Sequence, residues 1–186
     1  KEIQSVTDSD IFLDLKLHDI PHTVSGAAKA VSNLAPRFLT VHASGGAAMI
    51  KAAVEASPKT HVTGVTILTS LSEVDVSHIG FKNNSLDSAV GVAKIAVGAG
   101  AGAIVCSPLE IAAIRAAVGS TPIIITPGVR PADSHPTDDQ VRTMTPKAAI
   151  ALGANFVVIG RPITQSWNLG AEALRDRAAH IASELI

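Results

Sequence analysis

Asp14, Lys16 and Asp19 fall close together in the stretch FLDLKLHDIPHTV, which begins at Phe12. Phe12, Leu13, Leu15 and Leu17 suit a buried strand, whereas the three charged residues do not, because charged side chains are rarely buried unless they pair. Asp14 and Lys16 are two apart, so on a strand their side chains share a face. Asp19 lies just beyond, on the loop. An acid–lysine–acid array of this kind steadies and aims an ammonium group.

A second signal comes from two glycine–arginine loops. Thr126-Pro127-Gly128-Val129-Arg130-Pro131 and Gly160-Arg161-Pro162-Ile163-Thr164 each follow an apolar run. Glycine lets backbone N–H groups approach an anion, and arginine binds one bidentately. The plainer reading makes Gly128 and Gly160 turn residues and the arginines surface charges. Other candidates say less. His42, in VHASGG, reads as a hydrogen-bonded core histidine, and Thr69-Ser70 either reads a polar ligand edge or turns the chain. Cys106 reads as a small buried hydrophobe and Trp167 as a packing residue. The seven histidines show no metal-ligand spacing.

These residues need a frame. Six short apolar runs read as strands: Ile11–Leu15, Phe38–His42, Val62–Leu68, Ala103–Cys106, Ile123–Thr126 and Phe156–Ile159. Helical stretches fall between them. Ser107-Pro108-Leu109-Glu110 is a capping box with proline at the first helical position, and Gly119 closes that helix. Thr145-Pro146 opens a helix that Gly153 ends, and Asp87 or Ser88 is expected to cap the stretch through Val97. Gly45-Gly46 precedes Ala47–Ala56, a helix starts near Thr23, and Ala171–Leu185 is amphipathic. Alternation of strand and helix implies parallel strands with right-handed crossovers. No linker divides the chain, so one domain over residues 1–186 is expected.

Two architectures suit six strands: an open doubly wound sheet, or a (βα)8 TIM barrel from which about two units are missing. A doubly wound dinucleotide-binding sheet calls for G-x-G-x-x-G after its first strand. The glycine-rich run 98–102 precedes a strand instead, which favours the barrel. In a barrel the chemistry sits at the C-terminal strand ends, and phosphate is often held by the last two loops. Asp14, Lys16 and the two glycine–arginine loops then fall where the chemistry belongs. An ion pair that merely seals the barrel mouth is the alternative for Asp14 and Lys16.

Composition narrows the partners. The 186 residues are 47% hydrophobic, 17% charged and 3% aromatic, with a formal net charge of −1. No basic run or tail is present, which argues against nucleic acid or an anionic membrane surface as the main partner. The longest apolar runs are too short and too interrupted to span a bilayer, and no signal peptide is visible. A single cysteine excludes an internal disulfide and fits a reducing, cytoplasmic setting.

Asp14-x-Lys16-x-x-Asp19-Ile20-Pro21-x-Thr23 resembles the signature of the orotidine 5′-phosphate decarboxylases. The likeness continues in family order through VHASGG, VTILTSL, TPGVRP, DDQVRTMTP and VIGRPIT, and its wording points to the bacterial-type branch. The resemblance implies a TIM barrel that converts orotidine 5′-monophosphate to UMP in pyrimidine biosynthesis, with no metal and no organic cofactor. It implies Lys16 as the cation beside carbon 6 and the proton donor, with Asp14 near the departing carboxylate. Asp19 is expected to reach into the partner's site across a homodimer interface. Ile20 and Thr23 fall near the pyrimidine and ribose, and Ser70 at the pyrimidine amide. Pro127 is expected to contact substrate, and Gln140, Gly160 and Arg161 to grip the phosphate. The family also carries an aspartate and a second lysine in two βα units that are expected ahead of Phe12; Lys1 does not match that lysine. Two other readings stay open: a magnesium-dependent sugar-phosphate lyase of the ketogulonate-phosphate decarboxylase or hexulose-phosphate synthase type, and a non-catalytic phosphate-binding module.

Overall fold

A computed structural model of the chain describes residues 8–131 and 144–185. Its core is one parallel sheet of six strands in sequence order: β1 (Phe12–Leu17), β2 (Phe38–His42), β3 (His61–Val65), β4 (Ala103–Val105), β5 (Ile123–Thr126) and β6 (Phe156–Val157). Helices α1 (Pro21–Val31), α2 (Gly46–Ala56), α4 (Ser85–Gly98), α5 (Ile111–Val118) and α6 (Pro146–Ala151) carry the chain from strand to strand, as parallel pairing demands. A short helix α3 (Glu73–His78) precedes α4, and α7 (Arg161–Thr164) and α8 (Ala171–Ser183) follow β6.

The sheet is strongly curled. In a flat sheet β2 and β6 would lie roughly 19 Å apart, at about 4.8 Å per strand. The rings of Phe38 on β2 and Phe156 on β6 are instead 5.6 Å apart, edge to face. The Arg37 guanidinium lies over both rings at 5.2 and 5.1 Å, and Asp10 holds it at 2.5 Å. The result is an arc of a TIM barrel. β1 and β6 form its two margins, and Leu15, Phe156 and Val158 are exposed there.

Period-two alternation divides the strand side chains between two cores. Leu39, Val41, Val62, Ile104 and Ile124 pack outward against the helices with Met49, Ile50, Ala96 and Ile114. Phe38, Ala103 and Ile125 point inward with Phe12 and Val105. Gly64 shows why β3 lacks a side chain at one position: a Cβ there would sit 2.8 Å from that of Ala96 on α4. Arg115 ties α5 to the next unit, donating to the carbonyls of Gly119, Pro122 and Gly153 and to the Asn155 amide oxygen.

The caps follow the sequence with two corrections. Ser107 and Glu110 form the expected reciprocal box, but the segment opens as a 3-10 turn (Pro108–Glu110) before α5. Thr145 caps α6 by accepting from the Ala148 N–H. α4 is capped by Asn84, not by Asp87 or Ser88: the Asn84 side chain accepts from the Asp87 N–H, and Ser88 is already buried inside the helix. α3 had no counterpart in the sequence reading; Ser72 and Asp75 cap it with a second box. Trp167 does not pack as expected: it is 63% exposed in the turn before α8.

Candidate active site

The C-terminal ends of the strands surround a cavity of about 170 Å³. Asp14 and Lys16 from β1 line it, with Ile67, Leu68 and Thr69 after β3, Cys106 after β4, Pro127 after β5 and Val158 after β6. Most of this wall is apolar, so the two charged groups dominate its field.

Their placement depends on an irregularity in β1. Leu13 pairs with Leu39 and Leu17 with Val41, so four steps along β1 match two along β2. The extra residues bulge, and Lys16 takes φ = 49°. A non-glycine residue in the left-handed region is uncommon, and such conformations cluster at functional sites. The Lys16 Nζ donates to Asp14 Oδ2 at 2.5 Å. The pair is half-exposed, at 39% and 44%, so water reaches it.

Thr40 organises the pair from below. It is fully buried on β2. Its hydroxyl accepts from the Lys16 backbone N–H and donates to Asp14 Oδ1, both at 2.8 Å. Sequence reasoning passed over this residue. The signal was available in the alternation of Phe38, Thr40 and His42, which puts a hydroxyl on the inner face of the strand beside Asp14 and Lys16.

His42 is half-buried, with its ring 5.2 Å from that of His18. Burial, then the neighbouring charges of His18 and Lys16, holds its imidazole below the ordinary value of 6.5, against a smaller opposing pull from Asp14. Cys106 is buried as expected; desolvation, reinforced by Glu110, pushes its thiol up to about 12, so it is not a nucleophile at neutral pH.

The remaining predicted residues divide into groups. Asp19 and Ile20 line a separate, open depression with His18, Pro21, Ser44 and Gly45, away from the Asp14–Lys16 cavity. Asp19 Oδ1 accepts from the Ile20 N–H at 2.7 Å, and Ile20 is 65% exposed. Thr23 lies exposed in the first turn of α1, and Ser70 is exposed beside Thr69. Gly128 has φ = 76°, which explains the glycine in that loop. Gly160 precedes α7, where Arg161 is the first residue and exposed. Gln140 lies outside the described residues. Among the described residues, no group of three or more histidine, cysteine or carboxylate side chains is placed to hold a metal ion.

The model of the orotidine 5′-phosphate decarboxylase / HUMPS family matches residues 1–175. An orotidine 5′-phosphate decarboxylase of Thermobifida fusca is 51% identical over 183 residues, covering 98% of this chain and 76% of that protein. One from Frankia casuarinae is 52% identical over 164 residues, covering 88% of this chain and 60% of its own length. A solved orotidine 5′-phosphate decarboxylase from Lactobacillus acidophilus superposes with a TM-score of 0.78 at 36% identity, over 95% of this chain and 75% of that one. On this agreement of sequence and fold, the chain belongs to the orotidine 5′-phosphate decarboxylase / HUMPS family.

Proposed function

We propose that the protein decarboxylates orotidine 5′-monophosphate to UMP in pyrimidine nucleotide biosynthesis. The observation that carries this reading is the Asp14–Lys16 pair, held 2.5 Å apart at the mouth of the strand-end cavity. It stands in a chain about half identical to relatives named for this reaction.

The reaction breaks the bond from carbon 6 to the carboxylate. CO2 departs, and the electron pair stays in an in-plane orbital on carbon 6, where the ring π system delocalises it little. Stabilisation must then come from a fixed charge. Lys16 supplies that charge and gives a proton from Nζ to carbon 6, taking another from solvent afterwards. Asp14 aims the ammonium and lies next to the departing carboxylate. No step calls for a metal ion or an organic cofactor.

Ser70 bonds the pyrimidine amide and Pro127 packs against the substrate, while Ile20 and Thr23 stand beside Asp19 at the pyrimidine and ribose of the neighbouring site. Gln140, Gly160 and Arg161 hold the phosphate, whose binding energy is spent at the distant ring. Asp19 serves the neighbouring site in a homodimer. Its place in a depression apart from Lys16 supports this assignment. The reading takes the chain as one barrel domain, acting in the cytoplasm on a small nucleotide. Among the described residues no helix is long and apolar enough to cross a membrane.

The test follows orotidine 5′-monophosphate absorbance in excess chelator. Steady loss with UMP formed is the expected result. Activity that vanishes with chelator and returns with magnesium would move the assignment to the sugar-phosphate lyases.

A further inference from the structure

We propose that Thr40 is a positioning residue for this reaction: its one hydroxyl fixes both the carboxylate of Asp14 and the bulge that presents Lys16. The proposal rests on the decarboxylase reading for its kinetic consequence and on geometry alone for its structural one.

The bulge leaves the Lys16 N–H without a ladder partner, because β1 has more residues than β2 between the Leu13 and Leu17 pairings. Thr40 lies opposite that segment and accepts the N–H at 2.8 Å. A threonine hydroxyl has one proton to give, and it goes to Asp14 Oδ1, also at 2.8 Å. Asp14 Oδ2 is thereby left for the Lys16 ammonium. The chain thus closes on itself: Lys16 backbone to Thr40, Thr40 to Asp14, Asp14 to the Lys16 side chain.

This arrangement matters because its two ends differ in burial. Asp14 and Lys16 are half-exposed, and an exposed ion pair does not hold one geometry by itself. Thr40 is completely buried in a strand paired on both sides, by β1 and β3. It transfers the rigidity of the sheet to two side chains that open onto the cavity. It also stabilises the left-handed backbone of Lys16, which otherwise costs free energy.

The experiment compares Thr40→Ser, Thr40→Ala and Thr40→Val in the full chain. Ser and Ala differ only in the hydroxyl, so they isolate it even where valine disturbs folding. Losing a hydrogen bond to a charged group should lower kcat by about 10- to 100-fold in the Ala and Val variants relative to Ser, with KM changed by less than about threefold. A residue that only supports the fold would not split kcat from KM in this way once the variant is folded. Amide hydrogen exchange at Lys16 is the second readout. Protection should persist in the wild type and in Thr40→Ser, and be lost without the hydroxyl. A folded Ala variant with the kcat of the Ser variant, or a loss that falls on KM, overturns the role in catalysis. Unchanged Lys16 protection in the Ala variant overturns the geometric claim, whether or not the protein decarboxylates. A wild-type chain without decarboxylase activity that still shows the exchange pattern removes the functional reading and the kinetic role, and leaves the bulge assignment standing.

Discussion

Replacing Asp14 by asparagine separates a catalytic ion pair from one that only seals the barrel mouth. Asparagine keeps the shape and an oxygen that can still accept from Thr40, so the 2.8 Å bond survives. What disappears is the charge facing the Lys16 ammonium at 2.5 Å. Both partners are more than a third exposed, and such pairs contribute about 0–1 kcal/mol to folding. Unfolding in urea should therefore shift by no more than about 1 kcal/mol. The rate should respond far more. A fixed group acting on developing charge is worth about 100- to 1,000-fold in kcat. The assay pairs a urea melt with kcat for orotidine 5′-monophosphate on the same preparation. Destabilisation by more than about 2 kcal/mol together with nearly unchanged kcat would show the pair to be structural rather than catalytic.

The proposed sharing of the site between two chains gives a second prediction. Lys16→Ala and Asp19→Ala, each inactive alone, should complement when mixed and allowed to exchange: about half the dimers become mixed, each with one intact site, so roughly a quarter of wild-type sites return. Heterodimers that stay inactive would place Asp19 in its own chain's site. His42 gives a third. Its imidazole is held below 6.5, so the unfolded chain takes up that proton first as the pH falls. Stability is unaffected by His42 above pH 6.5, is lost as the pH drops below it, and stops falling on this account once the pH is under the folded value. Urea midpoints between pH 7 and pH 5 should therefore decline more steeply for the wild type than for His42→Asn, and equal slopes would contradict the desolvation argument.

Much of this architecture was legible in the chain. β2 and β5 coincide with the apolar runs read for them, and the Ser107 and Thr145 caps follow their sequence signals. The ends of β3 and β6 did not. β3 stops at Val65 and β6 at Val157; the Thr66 and Val158 N–H groups still bond back to the Val105 and Thr126 carbonyls, and Ile67, Leu68 and Val158 line the cavity mouth. Apolar character marks burial, not hydrogen bonding, so periodicity ran past the true ends. Asp14 and Lys16 stand out in the sequence because charge inside an apolar run is anomalous. Threonine in a strand is ordinary: alternation places Thr40 on the inner face, but no local pattern encodes the register shift that sets its hydrogen-bond partners. Trp167 is expected to pack but lies exposed, as tryptophan tolerates a wet edge.

The proposed proton transfer from Lys16 to carbon 6 ends the decarboxylation. Its most direct test is Lys16→Ala, measured at once for nucleotide binding and for single-turnover conversion of orotidine 5′-monophosphate. The expected variant still binds the nucleotide through its phosphate but converts it at least about 100-fold more slowly. A variant that binds and decarboxylates at the wild-type rate would contradict that role for Lys16.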